Sequence, residues 1–121
     1  MNRWTVAAAG LLAMAISPVS SFSAGAQVSD DVVKIGIIND MDGPYADLSG
    51  KGSVTAAQMA IEDFGKQVLG KPIELVSAGH QLKPDVGTAI IRRWFDAEKV
   101  DMVADIVHST IALAAENLAK E

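Results

Sequence analysis

Polar side chains able to hold a small molecule gather at three places along this chain. Asn39, Asp40, Asp42, Tyr45 and Ser49 follow one apolar run, His80 and Gln81 follow a second, and His108, Ser109 and Thr110 follow a third. Their chemistry is that of reversible binding. Two hydroxyls at the start of a helix, next to backbone N–H groups that have no helical acceptor, suit a carboxylate or another anion. Tyr45, the only tyrosine, offers a flat apolar ring with a polar tip. Plainer readings stand beside these. Gly43-Pro44-Tyr45 can be a turn with a packed ring, Ser109 can simply cap its helix, and the two histidines can be solvated loop residues.

Other chemistries find little support in the spacing. His80, His108 and Asp40 are all metal-ligand types, but no His-x-His or HExxH pattern joins them. Gly50-Lys51-Gly52 starts like GxGxxG, yet Thr55 stands where the third glycine belongs, and the phosphate-loop pattern GxxxxGK[ST] is absent. No Ser-His-Asp arrangement emerges, and with no cysteine there is neither a thiol nucleophile nor a disulfide. The chain is therefore expected to be neither an enzyme nor a metal or cofactor protein.

The elements that must position these residues alternate between strand and helix. Val32 to Asn39 is an almost unbroken apolar run, as in a strand covered on both faces. A helix is expected from Gly52-Ser53 to Phe64, its apolar face made by Val54, Ala57, Ile61, Phe64 and Val68, with Gly65 and Gly70-Lys71-Pro72 as stops. Ile73 to Ala78 is the second strand. Pro84 and Asp85 suit the start of a second helix, whose buried side is Val86, Ala89, Ile90, Trp94 and Ala97. Val100 to Asp105 is the third strand, and Ile111, Ala114, Ala115 and Leu118 face inward from a third helix. Such alternation predicts α/β architecture: a three-layer parallel sheet of βα units, strand order 2-1-3, with the most apolar strand in the middle. Loops at the carboxyl ends of parallel strands share one rim, which brings the three polar groups together. Acidic residues after the first strand, with Asp105, also fit a phospho-receiver, but receivers are intracellular and the start of this chain reads as an export signal.

Residues 1–26 carry that signal: Arg3, an apolar stretch from Val6 to Ile16, a Ser17-Pro18 break, and Ala24-Gly25-Ala26 as the small-x-small pattern before a cut after Ala26. The stretch is shorter than the roughly 20 residues a membrane-spanning helix needs. Residues 27–121 form one expected unit. Without Arg3 the net charge moves from −5 to −6, an acidic balance with no footprint for nucleic acid. The final helix has no C-cap glycine and no following strand, so the chain is expected to stop inside a repeating pattern.

KIGIINDMDGPYADLSGKGSVTAAQMAIEDFG resembles the opening of the type I periplasmic substrate-binding proteins of ABC transporters, in the branched-chain amino-acid (leucine/isoleucine/valine) class. GHQLKPDVGTAIIRRWFDAEKVDMVADIVHSTIALAAENLAKE resembles the second and third units of the same lobe. The resemblance implies a periplasmic, two-lobed protein that closes on a small solute and presents it to an inner-membrane ABC permease. It implies no cofactor. Carried over by position, Tyr45 borders the solute, His80 and Gln81 lie near the cleft rim, and Ser109 and Thr110, with His108 beside them as a further ligand-binding candidate, contribute to a carboxylate-binding corner. Relatives with a similar second unit read Asp-His-Gln where this chain has Gly79-His80-Gln81, and Asn often stands at the place of His108. That branch also takes aromatic acids, amides and urea-like solutes. Family members are several times longer, so residues 27–121 correspond to a partial N-terminal lobe without its fourth strand, hinges or second lobe. A truncated, weakly binding or non-binding fragment is the expectation. The sensing domain of a receptor with the same fold is the alternative, and an exported enzyme ranks last.

Overall fold

The computed structural model describes residue 28 and residues 30–121. The export segment and its cut after Ala26 lie outside the described residues. The elements are β1 (Val33–Asn39), α1 (Gly50–Phe64), β2 (Gln67–Val68), β3 (Lys71–Gly79), α2 (Pro84–Arg93) running into a π-helical stretch (Trp94–Glu98), β4 (Met102–Ala104) and α3 (Ser109–Leu118).

The sheet order is β2-β3-β1-β4. Strand β1 pairs in parallel with β3 from Val33↔Ile73 to Asn39↔Gly79, and with β4 from Ile35↔Met102 to Ile37↔Ala104. The three strands read from the sequence thus sit in the expected order, the most apolar in the centre. The fourth strand is a correction to the all-parallel expectation. Strand β2 runs antiparallel to β3, making the sheet mixed. Gly65 sits at φ 99° and stops α1 at Phe64, so Val68 belongs to β2 and not to the face of α1. Leu69 (φ 51°) and Gly70 (φ 77°) then form the tight reversal into β3, both central residues being left-handed as a two-residue hairpin requires. Phe64, expected to face inward, is 67% exposed.

The third expected strand is also shorter than its apolar run. Only Met102–Ala104 is strand, because Lys99 and Asp105 both take left-handed backbone at either end. Asp101 extends the contact by other means: its N–H donates to the Lys34 carbonyl (3.0 Å) and its carboxylate accepts the Lys34 N–H (2.9 Å).

Adjacent residues of β1 face opposite sides of the sheet. Ile38 joins the core formed with Ile91, Trp94, Val100, Ile111 and Ala115 from α2, α3 and the segment between them. Ile37 is buried on the other face, where α1 lies against β1 and β3. Each such side chain contributes about 1.5–3 kcal/mol on leaving water. The inward stripe of α2 is Gly87, Ile91 and Trp94. Ala89 and Ala97, expected on that side, are exposed, since this stripe is rotated and the π-helical stretch widens the last turn. Two close approaches fix the layers. A Cβ on Gly36 would stand 2.5 Å from the Trp94 ring, and one on Gly87 would stand 2.9 Å from Ile111.

Candidate functional site

The carboxyl end of β1 is a buried polar knot. Asn39 is fully buried, with its Nδ2 donating to Asp105 Oδ2 (2.8 Å) and its Oδ1 accepting the Val107 N–H (3.3 Å). The exit of the central strand is thereby tied to the loop that leads into α3. Asp40, 3% exposed, accepts the N–H of Gly43 on Oδ1 and the N–H of Tyr45 on Oδ2, both at 2.9 Å. A Cβ on Gly43 would lie 2.5 Å from those oxygens, so the tight wrap around the carboxylate calls for glycine. The wrap holds Tyr45 half exposed at the rim, while the buried Ser49 donates its hydroxyl to the Tyr45 carbonyl (3.4 Å).

His80 follows directly after β3 and is 1% exposed. Its N–H donates to the Asn39 carbonyl (3.0 Å), and its Nδ1 accepts the Leu82 N–H (3.1 Å). That bond assigns the neutral ring's proton to Nε2. Nε2 itself is buried and has no hydrogen-bond partner among the described residues, and the same holds for His108 Nδ1. The two rings meet edge to face, centroids 5.7 Å apart and planes at 73°. The His80 imidazole is pushed below its ordinary pKa of 6.5, first by burial and next by the neighbouring His108, with the Asp40 carboxylate opposing both.

His108 occupies the N-cap position of α3 without a side-chain cap bond. Its carbonyl accepts the first in-helix bond, from the Ala112 N–H (2.9 Å). The N–H groups of Ser109, Thr110 and Ile111 therefore precede the helical ladder. Ser109 is the first helical residue and not the cap, which corrects the capping reading.

These groups surround a hollow of about 550 Å³ lined by Asp40, Tyr45, Ser49, His80, His108, Ser109 and Thr110, together with Leu82 and Val107. Five of the six residues expected at the site share it. Gln81 does not. Left-handed backbone at Gln81 (φ 52°) places it in a second hollow of about 780 Å³ with Asp42, Lys51 and Thr55. There Lys51 and Asp42 pair at 3.0 Å, both largely exposed, so the charges of that hollow are already matched and solvated. Asn39 and Asp105 support the first hollow from beneath; nothing in the sequence joined them, because 66 residues separate them. Asp40 and Gly43 were readable as an Asp-x-x-Gly turn.

Among the described residues, no three His, Cys, Asp or Glu side chains converge to hold a metal ion, and no helix is long and apolar enough to cross a membrane. The arrangement offers hydroxyls, helix-end N–H groups, two imidazoles and one aromatic ring: equipment for holding a small anionic or polar solute.

A family model for periplasmic binding proteins matches residues 32–121. Among solved structures, the fold is similar to a branched-chain amino-acid ABC transporter periplasmic ligand-binding protein from Burkholderia xenovorans LB400 (52% identity, TM-score 0.69, 73% of this chain and 24% of that one). It is similar to a periplasmic binding protein from Burkholderia mallei (45% identity, TM-score 0.71, 74% of this chain and 24% of that one). It also resembles a solute-binding protein of an ABC transporter from Rhodopseudomonas palustris BisB5, solved with 3,4-dihydroxybenzoic acid (30% identity, TM-score 0.65, 74% of this chain and 24% of that one). The matched part of the chain thus spans about a quarter of each of these proteins. A search of curated proteins finds no match.

Proposed function

The chain belongs to the periplasmic binding protein family, and from that premise we propose that it forms one wall of an extracytoplasmic solute site serving an ABC importer. The solute is a small amino-acid-like, carboxylate or amide molecule. Its carboxylate or carbonyl oxygen takes the N–H groups and hydroxyls at the start of α3, with Tyr45 and the two imidazoles bordering the rest. One observation carries this reading. Residues from three separate loops, Tyr45, His80, and His108 to Thr110, line a single hollow beside an open helix N-terminus. The solute-bound relative from Rhodopseudomonas palustris adds support for an acid as ligand. The partner is the importer's permease, and the site of action is the periplasm after removal of residues 1–26.

The 121 residues by themselves bind weakly. Pockets for small ligands bury most of the ligand surface. Here Ser109 and Thr110 are exposed and Tyr45 is half exposed, so a solute would be covered on one side only. A facing lobe, of the kind that the longer relatives have room for, supplies the rest of the cleft and the hinge closure.

Titration of the chain with leucine and with benzoate, followed by two-dimensional amide NMR, tests both statements. The expected result is fast-exchange shifts at Tyr45 and residues 108–111, saturating in the millimolar range. Submicromolar affinity would overturn the one-wall reading. Shifts confined to residues around Gln81 and Lys51 would move the site to the other hollow.

A further inference from the structure

The two imidazoles carry a consequence for which solutes this wall accepts. His80 and His108 are neighbours in one hollow, each with a buried ring nitrogen that has no partner among the described residues. The bonds that hold the two residues in place use other atoms: His80 is anchored through Nδ1 and its N–H, and His108 through its carbonyl, which accepts the Ala112 N–H. An orphaned buried polar atom costs about 1–3 kcal/mol, so a pair of them at a cleft is not explained by stability.

The charged groups around the pair are engaged in hydrogen bonds or turned to solvent. From the loop after β1 comes Asp40, whose two oxygens already accept backbone N–H groups, with the Tyr45 ring beside it. Asp105, on the loop after β4, is engaged by Asn39. Lys83 and Asp85, near the start of α2, are exposed. The first turn of α3 carries no acidic residue and presents its positive end. A cation at this place would meet helix-end donors and imidazoles, and the one carboxylate in the lining, Asp40, has both oxygens taken by backbone N–H groups. An anion would meet the helix end and two groups able to gain a proton.

We propose that His80 and His108 are a specificity-determining pair that makes this wall select a net anion over a zwitterion of similar size, one proton entering the pair from solvent as the anion binds. This rests on the solute-site reading above. The solute class is then a simple carboxylic acid, aliphatic or aromatic, and not an α-amino acid. Linkage fixes the sign. The bound anion raises the pair's proton affinity above its value in the empty hollow. Affinity therefore climbs as pH falls through the bound-state midpoint and levels off below the empty-state midpoint.

The test uses the 121-residue chain uniformly labelled with 15N; it has only two histidines, so every imidazole signal belongs to one of the pair. Benzoate, benzamide and leucine are titrated at pH 5.5 and 7.5, following the amides of residues 109–111 and the ring nitrogens. Benzoate is expected to bind several-fold tighter at pH 5.5, a rise of one unit in an imidazole midpoint setting a ceiling of about tenfold. Benzamide and leucine are expected to show no such gain. His80→Gln and His108→Gln should each flatten the benzoate profile, and the ring titration of the unsubstituted chain gives the same answer should either variant fail to fold. Benzoate shifts at residues 109–111 that are equal at both pH values would overturn the inference and leave the solute site standing. An equal or larger pH gain for leucine would do the same. No shift at residues 109–111 with any of the three would overturn both.

Discussion

Replacing Asp40 by Asn probes the rim most directly. The two side chains have nearly the same volume, so packing is left alone. The carboxylate accepts two backbone N–H groups at 2.9 Å, from Gly43 and Tyr45. An amide has one acceptor oxygen. In either orientation of the amide, one of those N–H groups faces an NH₂ group and is left unsatisfied. Asp40 is 3% exposed, so water cannot take the acceptor's place. Losing a hydrogen bond to a charged acceptor costs about 1.5–3 kcal/mol, and the bond that remains is weaker for want of the charge. A loss of about 2–3 kcal/mol is expected. Urea unfolding followed by circular dichroism would show it as a midpoint lowered by about 0.7–3 M, for a slope of 1–3 kcal/mol/M. The same change removes the carboxylate that raises the proton affinity of His80. The His80 midpoint, read by imidazole NMR, should therefore move further down. A variant within about 0.5 kcal/mol of the parent would refute the buried-acceptor argument, that being the usual scatter of neutral surface changes. An upward move of the His80 midpoint would refute the electrostatic one.

Two further outcomes follow from packing and titration. Gly36→Ala places a Cβ 2.5 Å from Trp94 in the middle of the central strand. Overpacking costs about 1–3 kcal/mol against the roughly 0.5–1 kcal/mol gained by leaving glycine, so a net loss of about 1–2 kcal/mol is expected in thermal unfolding. An unchanged or higher melting temperature would contradict it. Acid should also weaken the fold through His80. Its folded pKa lies below the ordinary 6.5, so between the two values the unfolded chain binds more protons than the folded one. The contribution is fully present above pH 6.5, is lost as pH falls through the folded midpoint, and is flat below it. Urea midpoints at pH 7.5 and 5.5 should differ more in the parent chain than in His80→Gln, and equal differences would remove His80 from the account.

The parallel heart of the fold was legible because its signal is local and strong. Val32 to Ile38 is apolar at nearly every position, which suits burial on both faces, and the polar residues begin where the strand ends. Strand β2 was not legible. Its reversal uses Leu69 in the left-handed region, a residue that carries none of the Asn-Gly or Asp-Gly signature of a tight hairpin. The stripe of α2 was legible at Ile90 and Trp94, which pack in the core, and failed at Ala89 and Ala97, which are exposed; at Ala97 the reason is that periodicity assumes a uniform helix and a π-helical stretch ends this one. At the rim, the loop positions identified which residues meet, since strand ends in a parallel sheet share an edge. Gln81 broke that rule through its backbone conformation, which sequence neighbours do not fix. The Asn39–Asp105 tie needed the fold itself, because long-range hydrogen bonds leave no mark on local composition.

The rim's internal bonding also determines what weak binding would mean. Asn39 to Asp105, Asp40 to Gly43 and Tyr45, and His80 to Leu82 are all closed within these residues. They fix the strand exits and the loop that carries Tyr45 before any solute arrives. The start of α3 is likewise set by Ile111, which is fully buried against Gly87. A wall preorganised in this way loses little entropy when a solute docks. Its low affinity would then come from the solute surface left uncovered, not from disorder in the wall. The two causes separate experimentally. If coverage is limiting, amide exchange at Gly43, Tyr45, Leu82, Val107 and Ala112, whose N–H groups are hydrogen-bonded within the rim, should be slow without solute and change little with it. If the rim orders only on binding, those amides should exchange freely until solute is added, and the preorganised picture would have to be given up.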